Sequence, residues 1–147
     1  MTEGAGEART ETPFSIRTAR EGEADVVLAF WSAAGAVPTV SDDRDAVERL
    51  LRHDPEALLL AEADGDVVGT VVAAWDGWRG SVYRLAVAPR FRCRGLGTAL
   101  VRAAEQRLTE AGARRSQAVV VETDERAMSF WSAAGWHHQR ERARFTR

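Results

Sequence analysis

The sequence predicts a single mixed α/β (α+β) domain, and two observations support that prediction. Three strand-like segments follow one another between residues 57 and 87, with turn signals at Asp64-Gly65 and at 76–80. A helical pattern and a short apolar segment come next, so the chain is expected to run β-α-α-β-β-β-α-β-α-β. A meander that leads into a β-α-β unit differs from the doubly wound fold of dinucleotide-binding proteins.

The individual elements follow from the spacing of apolar residues and from end signals. Helical spacing predicts four helices, at 22–34, in a short segment with Ser41 as its N-cap, at 95–110 and at 125–134. Three of them are followed by glycines that suit a C-cap, namely Gly35, Gly112 and Gly135. Strands are predicted at 14–18, where apolar residues alternate, at 57–62, which is a buried apolar segment, and at 67–75, 81–87 and 117–121. The weakly alternating residues 137–147 could supply one or two more.

The hexapeptide FWSAAG occurs twice, at 30–35 and at 130–135. Both copies end a predicted helix on a glycine, so similar packing and C-cap requirements explain the repeat. The sequence contains no longer repeat of the kind that would indicate a duplicated domain.

Length and composition bound the domain organisation. The chain has 147 residues, 45% of them hydrophobic, which is enough for one domain with its own core over residues 13–147. Residues 1–12 are polar and predict a disordered tail. The single cysteine, Cys93, excludes an intramolecular disulfide, and without an apolar signal segment a cytoplasmic location is expected. No apolar run approaches the roughly 20 residues that span a bilayer.

The charge balance argues against a nucleic-acid partner. The formal net charge is -2 and the sequence pI is about 5.9, whereas nucleic-acid binders usually carry a basic excess. All 20 basic residues are arginines, and the sequence has no Lys or Asn, which suggests an Arg- and Ala-biased genome. His53, His137 and His138 lack metal-site spacing to other ligands, so no metal is expected.

The segment LAVAPRFRCRGLGTALV, residues 85–101, contains the chemical signal. A strand, a proline stop and a loop of arginines and glycines lead into the helix predicted at 95–110. Glycine lets backbone N–H groups approach a ligand, and the first-turn N–H groups lie at the positive end of the helix dipole. With arginines beside them, such groups bind a pyrophosphate. For the arginines alone, a solvated surface loop is the alternative.

Two ordered motifs resemble those of the GNAT acetyltransferase superfamily. Arg92, Gly95 and Gly97 match its acetyl-CoA signature, [RQ]-x-x-G-x-[GA], and the preceding LAVAP is similar to its pantetheine-binding strand. Residues 127–136, AMSFWSAAGW, resemble its A-x-x-[FL]-Y-x-x-x-G-[FY] helix, and residues 58–87 resemble the YpeA-type bacterial subgroup. The resemblance implies a mixed, mostly antiparallel sheet of six or seven strands with splayed central strands, flanked by four helices.

The resemblance also implies the cofactor and the residues that bind it. Acetyl-CoA would be the co-substrate, and its acetyl group would pass directly to a primary amine in a ternary complex. The pyrophosphate would lie against Arg92, Cys93, Arg94, Gly95, Leu96, Gly97 and Thr98. Pantetheine would pair like an added strand with Leu85, Ala86 and Val87, and would be flanked by Asp124, Ala127 and Trp131. The backbone N–H near Val87 would polarise the thioester carbonyl.

Three positions depart from the family pattern. Trp131 lies where the family usually has a tyrosine acid, and an indole N–H is a donor without usable acidity. Ser81 lies at the position of the usual glutamate base, and Asp124 lies where an asparagine often contacts pantetheine. Tyr83, on the same side of its strand as Ser81, and Glu122 are therefore the substitute catalytic candidates. A core aromatic and a helix-start carboxylate are the alternatives for these two residues.

The acceptor is expected to enter beside the first two helices and the 76–80 turn. Acidic residues there, with Asp42 and Asp76 as substrate-binding candidates, predict a negative field that suits a cationic amine. Trp78 is a candidate for an apolar wall, although Asp76 can instead shape its turn and Trp78 can instead fill the core. Homodimers are common in this superfamily, so a second copy is a candidate partner. The alternative function, left open by Ser81 and Trp131, is a non-catalytic acetyl-CoA sensor or scaffold.

Overall fold

The computed structural model describes residues 13–147 and contains one five-stranded sheet with four helices around it. The strands are β1 (Ser15–Thr18), β2 (Leu58–Ala63), β3 (Asp66–Trp75), β4 (Gly80–Val87) and β5 (Ser116–Ala118). The helices are α1 (Ala24–Ala33), α2 (Arg44–His53), α3 (Leu96–Ala111) and α4 (Glu125–Ala133), with a 3-10 helix at Pro89–Phe91 before α3. The tail predicted at 1–12 lies outside the described residues.

The sheet order is β1-β2-β3-β4-β5, as a meander followed by one crossover produces. The first four strands pair antiparallel, and β5 pairs parallel to β4 after α3 has crossed the sheet. Asp64 and Gly65 both have positive φ, 52° and 80°, as a type I′ turn requires. The hairpin predicted at Asp64-Gly65 is therefore confirmed.

The two faces of the sheet are covered by different helices. A Cβ added at Gly69 would lie 2.8 Å from Leu100 of α3, so this glycine marks the face on which α3 packs. The neighbouring residue Thr70 points to the opposite face, where its hydroxyl accepts a hydrogen bond from Trp31 Nε1 of α1 at 2.8 Å. Because β2 and β3 lie between both layers, they form the centre of the core.

A β-bulge interrupts β4 near its middle. Thr70 pairs with Ala86 and Val72 pairs with Tyr83, so one residue of β3 faces two residues of β4. Arg84, inside the bulge, has a φ of 52°, a left-handed conformation that non-glycine residues rarely adopt. The extra residue breaks the alternation of the strand, so Tyr83 and Arg84 both lie on the α1 face.

The expected sheet of six or seven strands is wrong for the described part of the chain, which has five strands. Residues 137–147, where one or two terminal strands were predicted, are exposed and without regular structure. Phe145 is 94% exposed, so this polar, Arg-rich segment buries too little apolar surface to hold a strand in place. The strand predicted at 117–121 also ends early, at Ala118.

Helix ends differ from the prediction at one N-terminus. Asp43, two residues after the predicted cap Ser41, caps α2 by accepting a hydrogen bond from Ala46 N at 2.8 Å. At the two FWSAAG copies, by contrast, the structure matches the expected C-caps. Trp31 O and Trp131 O each accept a hydrogen bond at 3.0 Å from the backbone N–H five residues later, across a glycine of positive φ.

Candidate active site

A gap opens in the sheet between β4 and the chain that follows β5. The two strands pair only through Gly80–Val82 and Ser116–Ala118, and residues 119–121 continue without a ladder. Ala88 N donates to Val68 O of β3 at 2.8 Å, so alternation directs the amides of Leu85 and Val87 to the opposite edge, into the gap. An extended ligand in the gap can therefore pair with Leu85 and Val87, whereas the amide of Ala86 faces β3.

The N-terminus of α3 lies immediately after the strand that borders this gap. Its N-cap, Gly95, has a φ of 81° and no side-chain cap, whereas Asp43 and Asp124 cap α2 and α4. The first-turn N–H groups of α3 are thus available to an anion, at the positive end of a 16-residue helix. A Cβ added at Gly95 would meet no atom within 4 Å, so the space above the loop is open. These features fit a pyrophosphate.

The arginines of the loop divide between the protein surface and the helix start. Arg92 Nη2 lies 3.4 Å from the carbonyl oxygen of Ala34, at the C-terminus of α1. The Arg94 guanidinium lies 5.9 Å from the ring centroid of Phe91, which is buried below the loop. Cys93 is exposed and has a φ of 60°. The side chain of Arg92 therefore supports the loop, and the backbone of the loop faces the open space.

Helix α4 closes the other side of the α3 N-terminus. A Cβ at Gly97 would lie 3.2 Å from the ring of Phe130, so this glycine permits close packing of the two helices. Asp124 accepts a hydrogen bond from Ala127 N at 3.0 Å, and one of its oxygens is thus used as the helix cap. Between the two helices lies a cavity of about 170 Å³, lined by Thr98, Val101, Arg102, Glu105, Phe130, Ala133 and Ala134.

Trp131 lies at the motif position where a tyrosine acid is usual, and here it is a packing residue. Its ring is half-buried and makes edge-to-face contacts with Phe130 at 5.7 Å and with Trp136 at 4.8 Å between centroids. The indole of Trp136 in turn donates to Glu105 of α3 at 2.8 Å. The three aromatic side chains fix α4 against α3 and leave no acidic proton at this position.

The catalytic candidates lie on both sides of the gap. Tyr83 is 47% exposed on the α1 face, so it is not a core residue. Glu122 is exposed in the turn before α4, four residues beyond the end of β5, because the strand predicted at 117–121 ends early. Ser81 Oγ lies 3.5 Å from Gln117 Nε2, where β4 and β5 are still paired.

The acceptor candidates have other partners in this structure. Asp42 forms an ion pair with Arg84. Asp76 accepts from the backbone N–H groups of Trp78 at 2.8 Å and Arg79 at 2.7 Å. The N–H groups of Arg79 and then Trp78 hold the pKa of the Asp76 carboxyl below its usual value. Trp78 is 69% exposed, with the Arg79 guanidinium 4.0 Å from its ring centroid, so the core-filling alternative for Trp78 is wrong.

Two residues of this region were missed from the sequence, Arg84 and Thr70. Thr70 is fully buried, and its hydroxyl donates to the carbonyl oxygen of Arg84 at 2.9 Å within the bulge. A threonine in an apolar strand and an arginine in an alternating strand are both ordinary, so the pattern carries no signal for either role.

The chain belongs to the acetyltransferase (GNAT) family, whose model matches residues 24–136. That match spans both motifs, the gap and all of α1 to α4. The protein is thus an acetyltransferase, and acetyl-CoA is its co-substrate, as is typical of the family. Among residues 13–147, no cluster of three His, Cys, Asp or Glu side chains has the geometry to hold a metal ion. No helix in the same range is long and apolar enough to cross a membrane.

Solved structures with the same fold include several acetyltransferases. The aminoglycoside N-acetyltransferase AAC(6')-Iy, in complex with the bisubstrate analogue CoA-S-monomethyl-acetylneamine, has a TM-score of 0.72 and 22% identity over 92% of this chain and 97% of its own. Ard1 from Thermoplasma volcanium has a TM-score of 0.73 and 22% identity over 83% and 81%. The aminoglycoside acetyltransferase meta-AAC0020, from an uncultured soil metagenomic sample, has a TM-score of 0.73 and 17% identity over 91% and 95%. At these identities the likeness shows the fold alone, and the YpeA-type subgroup is not confirmed.

Proposed function

We propose that this protein is an N-acetyltransferase that moves the acetyl group of acetyl-CoA directly to a primary amine in a ternary complex. One arrangement supports this most strongly: the edge of β4 into which alternation directs the amides of Leu85 and Val87 leads to the start of α3, which has no side-chain cap. An extended pantetheine arm on that edge would place its pyrophosphate against the helix and its thioester deep in the gap.

The chemistry needs positioning more than it needs a covalent enzyme intermediate. The lone pair of the neutral amine attacks the thioester carbonyl, a C–N bond forms and the C–S bond breaks, and the thiolate leaves on CoA. The backbone N–H of Val87 is directed into the gap, where it stabilises the negative charge that develops on the carbonyl oxygen. The amine proton passes to water, and the departing thiolate takes up one proton.

Tyr83 and Glu122 remain the candidates for proton transfer. Tyr83 is half-exposed on the α1 face, the side from which we expect the acceptor to enter. Its hydroxyl is suited to protonate the thiolate directly or through a water. Glu122 is exposed in the segment after β5, across the gap from β4, where a water chain would link it to the amine. Each role predicts a selective loss of kcat when Tyr83→Phe or Glu122→Gln is introduced.

The acceptor that we propose is a small molecule or a peptide with a free amine. AAC(6')-Iy and meta-AAC0020 are named for aminoglycosides, which are polyamines, and these names motivate the first class of amine to test. Asp43 and Asp45, at the start of α2, follow Asp42 and contribute negative charge on the side where we expect the acceptor to enter. A bacterial, cytoplasmic setting and a homodimer remain proposals as well.

A non-catalytic acetyl-CoA sensor is the second candidate function. The observation that favours it is the packed aromatic cluster around Trp131, which leaves the usual acid position without an acidic proton. A sensor would bind acetyl-CoA at the same strand edge and helix start, so binding alone does not separate the two functions. Turnover does.

The test combines an amine panel with two variants of Gly95. Free-thiol release from acetyl-CoA is followed with neamine, a peptide with a free N-terminus and a lysine peptide. Asp and Asn both tolerate positive φ and are nearly equal in shape, so Gly95→Asp and Gly95→Asn differ mainly in charge. We expect Gly95→Asp to bind acetyl-CoA about tenfold more weakly than Gly95→Asn, a difference of about 1.4 kcal/mol.

Amine-dependent thiol release that falls in Gly95→Asp more than in Gly95→Asn supports the enzyme and its pyrophosphate site. Binding of acetyl-CoA without release for any amine supports the sensor. Equal binding by the two variants would place the pyrophosphate elsewhere and remove the basis of both functions.

A further inference from the structure

The guanidinium of Arg84 joins the bulge of β4 to the loop between α1 and α2. Nε donates to Asp42 Oδ1 at 3.2 Å, and Nη2 donates to the other oxygen of the same carboxylate. Nη1 donates to Val37 O at 3.1 Å, and Nη2 also donates to Thr39 Oγ1 at 3.2 Å. Four of the five guanidinium N–H groups are therefore used on one loop, which leaves little donor capacity for a ligand.

The ion pair is partly shielded from water. The side chains of Arg84 and Asp42 are 19% and 15% exposed, and the guanidinium carbon lies 5.3 Å from the ring centroid of buried Trp31. A shielded, bidentate pair with a planar fork is geometrically demanding, so it fixes the position of its partners more tightly than an exposed pair does. Asp42 also accepts from Thr39 N at 2.7 Å, so the same carboxylate holds the turn of the loop.

The backbone of Arg84 also accepts a hydrogen bond, from the Thr70 hydroxyl. Trp31 Nε1 donates to the Thr70 hydroxyl, and that hydroxyl donates to Arg84 O, in a short chain of buried hydrogen bonds from α1 to the bulge. This chain stabilises the left-handed φ that directs the Arg84 side chain toward the loop. Hydrogen bonds thus join strand β4, which lines the gap, both to α1 and to the loop between α1 and α2.

We propose that Arg84 is a positioning residue that holds the 37–42 loop over the acceptor side of the gap, and that Asp42 is its partner and not a ligand for the amine. This inference rests on the proposed transfer to an amine in so far as the loop borders the acceptor. Val37 and Val40 are 73% and 101% exposed on this loop, and Tyr83 is 47% exposed on the strand to which Arg84 joins it. The loop would therefore offer apolar surface on the side where the acceptor enters. If the loop were not held, it would no longer keep this apolar surface in place, and the amine would lose its alignment with the thioester.

The test uses variants that keep the bulge. Arg84→Asn tolerates the left-handed backbone and removes the guanidinium, and Arg84→Lys keeps the charge and loses the fork. Asp42→Asn removes the other half of the ion pair. Arg44→Gln is the matched control, because Arg44 starts the neighbouring helix with a 66% exposed side chain and only weak exposed ion pairs.

Hydrogen exchange of residues 37–42 is the first readout, because it needs no acceptor. We expect exchange to accelerate about tenfold in Arg84→Asn and Asp42→Asn, less in Arg84→Lys, and to stay unchanged in Arg44→Gln. In the double variant Arg84→Asn/Asp42→Asn the two accelerations are expected to be less than additive in free energy, since both changes remove the Arg84–Asp42 ion pair. Wild-type exchange in Arg84→Asn would overturn the proposal.

Steady-state kinetics with the most active amine of the panel is the second readout. We expect kcat/KM for the amine to fall roughly 10- to 100-fold in Arg84→Asn, while the affinity for acetyl-CoA changes by less than about twofold. An unchanged kcat/KM despite a mobile loop would also overturn the proposal. If no amine supports turnover in the wild type, the proposed function fails, and the exchange result alone decides whether Arg84 holds the loop.

Discussion

At the scale of single residues, Thr70 shows how one hydroxyl can fix a functional strand. Thr70 is the polar residue that is completely buried in the described core. Its hydroxyl accepts from Trp31 Nε1 and donates to Arg84 O. The methyl group of Thr70 satisfies the apolar packing, and the hydroxyl joins α1 to the bulge. A buried polar group that is fully bonded contributes to a unique geometry more than to raw stability.

Replacing Thr70 by Val tests this role, because the shape is kept and the hydroxyl is lost. The Trp31 N–H and the Arg84 carbonyl then lose their partner, which we expect to cost on the order of 2 kcal/mol or more. Denaturant unfolding measures the loss, and Thr70→Ser is the control that keeps the hydroxyl. Since Val buries more apolar surface than Ser, a Thr70→Val protein at least as stable as Thr70→Ser would contradict the assignment.

A second residue-scale prediction concerns acid stability. Arg17 makes a bidentate contact with Glu23, 2.7 Å at each oxygen, and lowers the pKa of Glu23 from 4.5 to about 2. The folded pKa lies below the unfolded value, so the contribution is present above pH 4.5 and is lost as the pH falls from about 4.5 toward 2. The shift corresponds to about 3 kcal/mol.

Unfolding free energies between pH 2 and 7 check this expectation. In Glu23→Gln the stability should depend less on pH in that window, whereas Glu21→Gln, which alters a neighbouring exposed carboxylate, should follow the wild type. Parallel curves for the wild type and Glu23→Gln would show that the ion pair does not form in solution.

At the scale of elements, the close approach of β4, β5 and α3 depends on Gly80. A Cβ there would lie 2.6 Å from Ser116 Oγ and 2.7 Å from Leu108 Cδ1. We expect Gly80→Ala to destabilise the protein by about 1–3 kcal/mol through overpacking. Thermal unfolding would detect this loss, and adding Ser116→Ala should restore part of it because the nearest clash is removed. Simple additivity of the two changes would refute the packing explanation.

Most elements were predictable because their signals are local. The apolar stripe of α3, the Asp64-Gly65 turn and the glycines after three helices each depend on neighbours in the sequence. The bulge at Arg84 was not predictable, because VYRLAV alternates like a regular strand and the extra residue is set by pairing with β3. The N-cap of α2 was predicted at Ser41 and lies at Asp43, because Ser and Asp both suit a cap and the sequence alone does not choose between them.

At the scale of the whole molecule, burial is unevenly distributed along the chain. The centre of β2 and β3 is covered by helices on both faces, with Leu58, Leu60, Val68 and Val71 fully buried. Residues 121–126 and 137–147 are exposed. For the candidate site, the sequence predicted a set of cofactor residues, whereas it did not predict the contacts on the acceptor side. The candidate cofactor residues form one contiguous motif, whereas the loop on the proposed acceptor side is held by contacts between distant side chains, such as Asp42 and Arg84.

Amide hydrogen exchange over the whole chain should follow this gradient. We expect the slowest exchange in β2 and β3, near the global unfolding limit, and the fastest among the described residues in 119–121 and 137–147. Addition of acetyl-CoA should slow exchange at Leu85, Val87 and the first turn of α3. Protection of 137–147 at the level of β3 in the absence of ligand would contradict the five-stranded sheet.

The contact between Trp131 and Trp136 has an optical consequence. Two indoles with centroids 4.8 Å apart and planes at 73° couple their electronic transitions, so their circular dichroism contains a pair of bands of opposite sign. The pair exists only while the end of α4 and the residue after its glycine cap keep this arrangement. The protein therefore carries its own chromophore for the docking of α4, the helix that packs beside the N-terminus of α3.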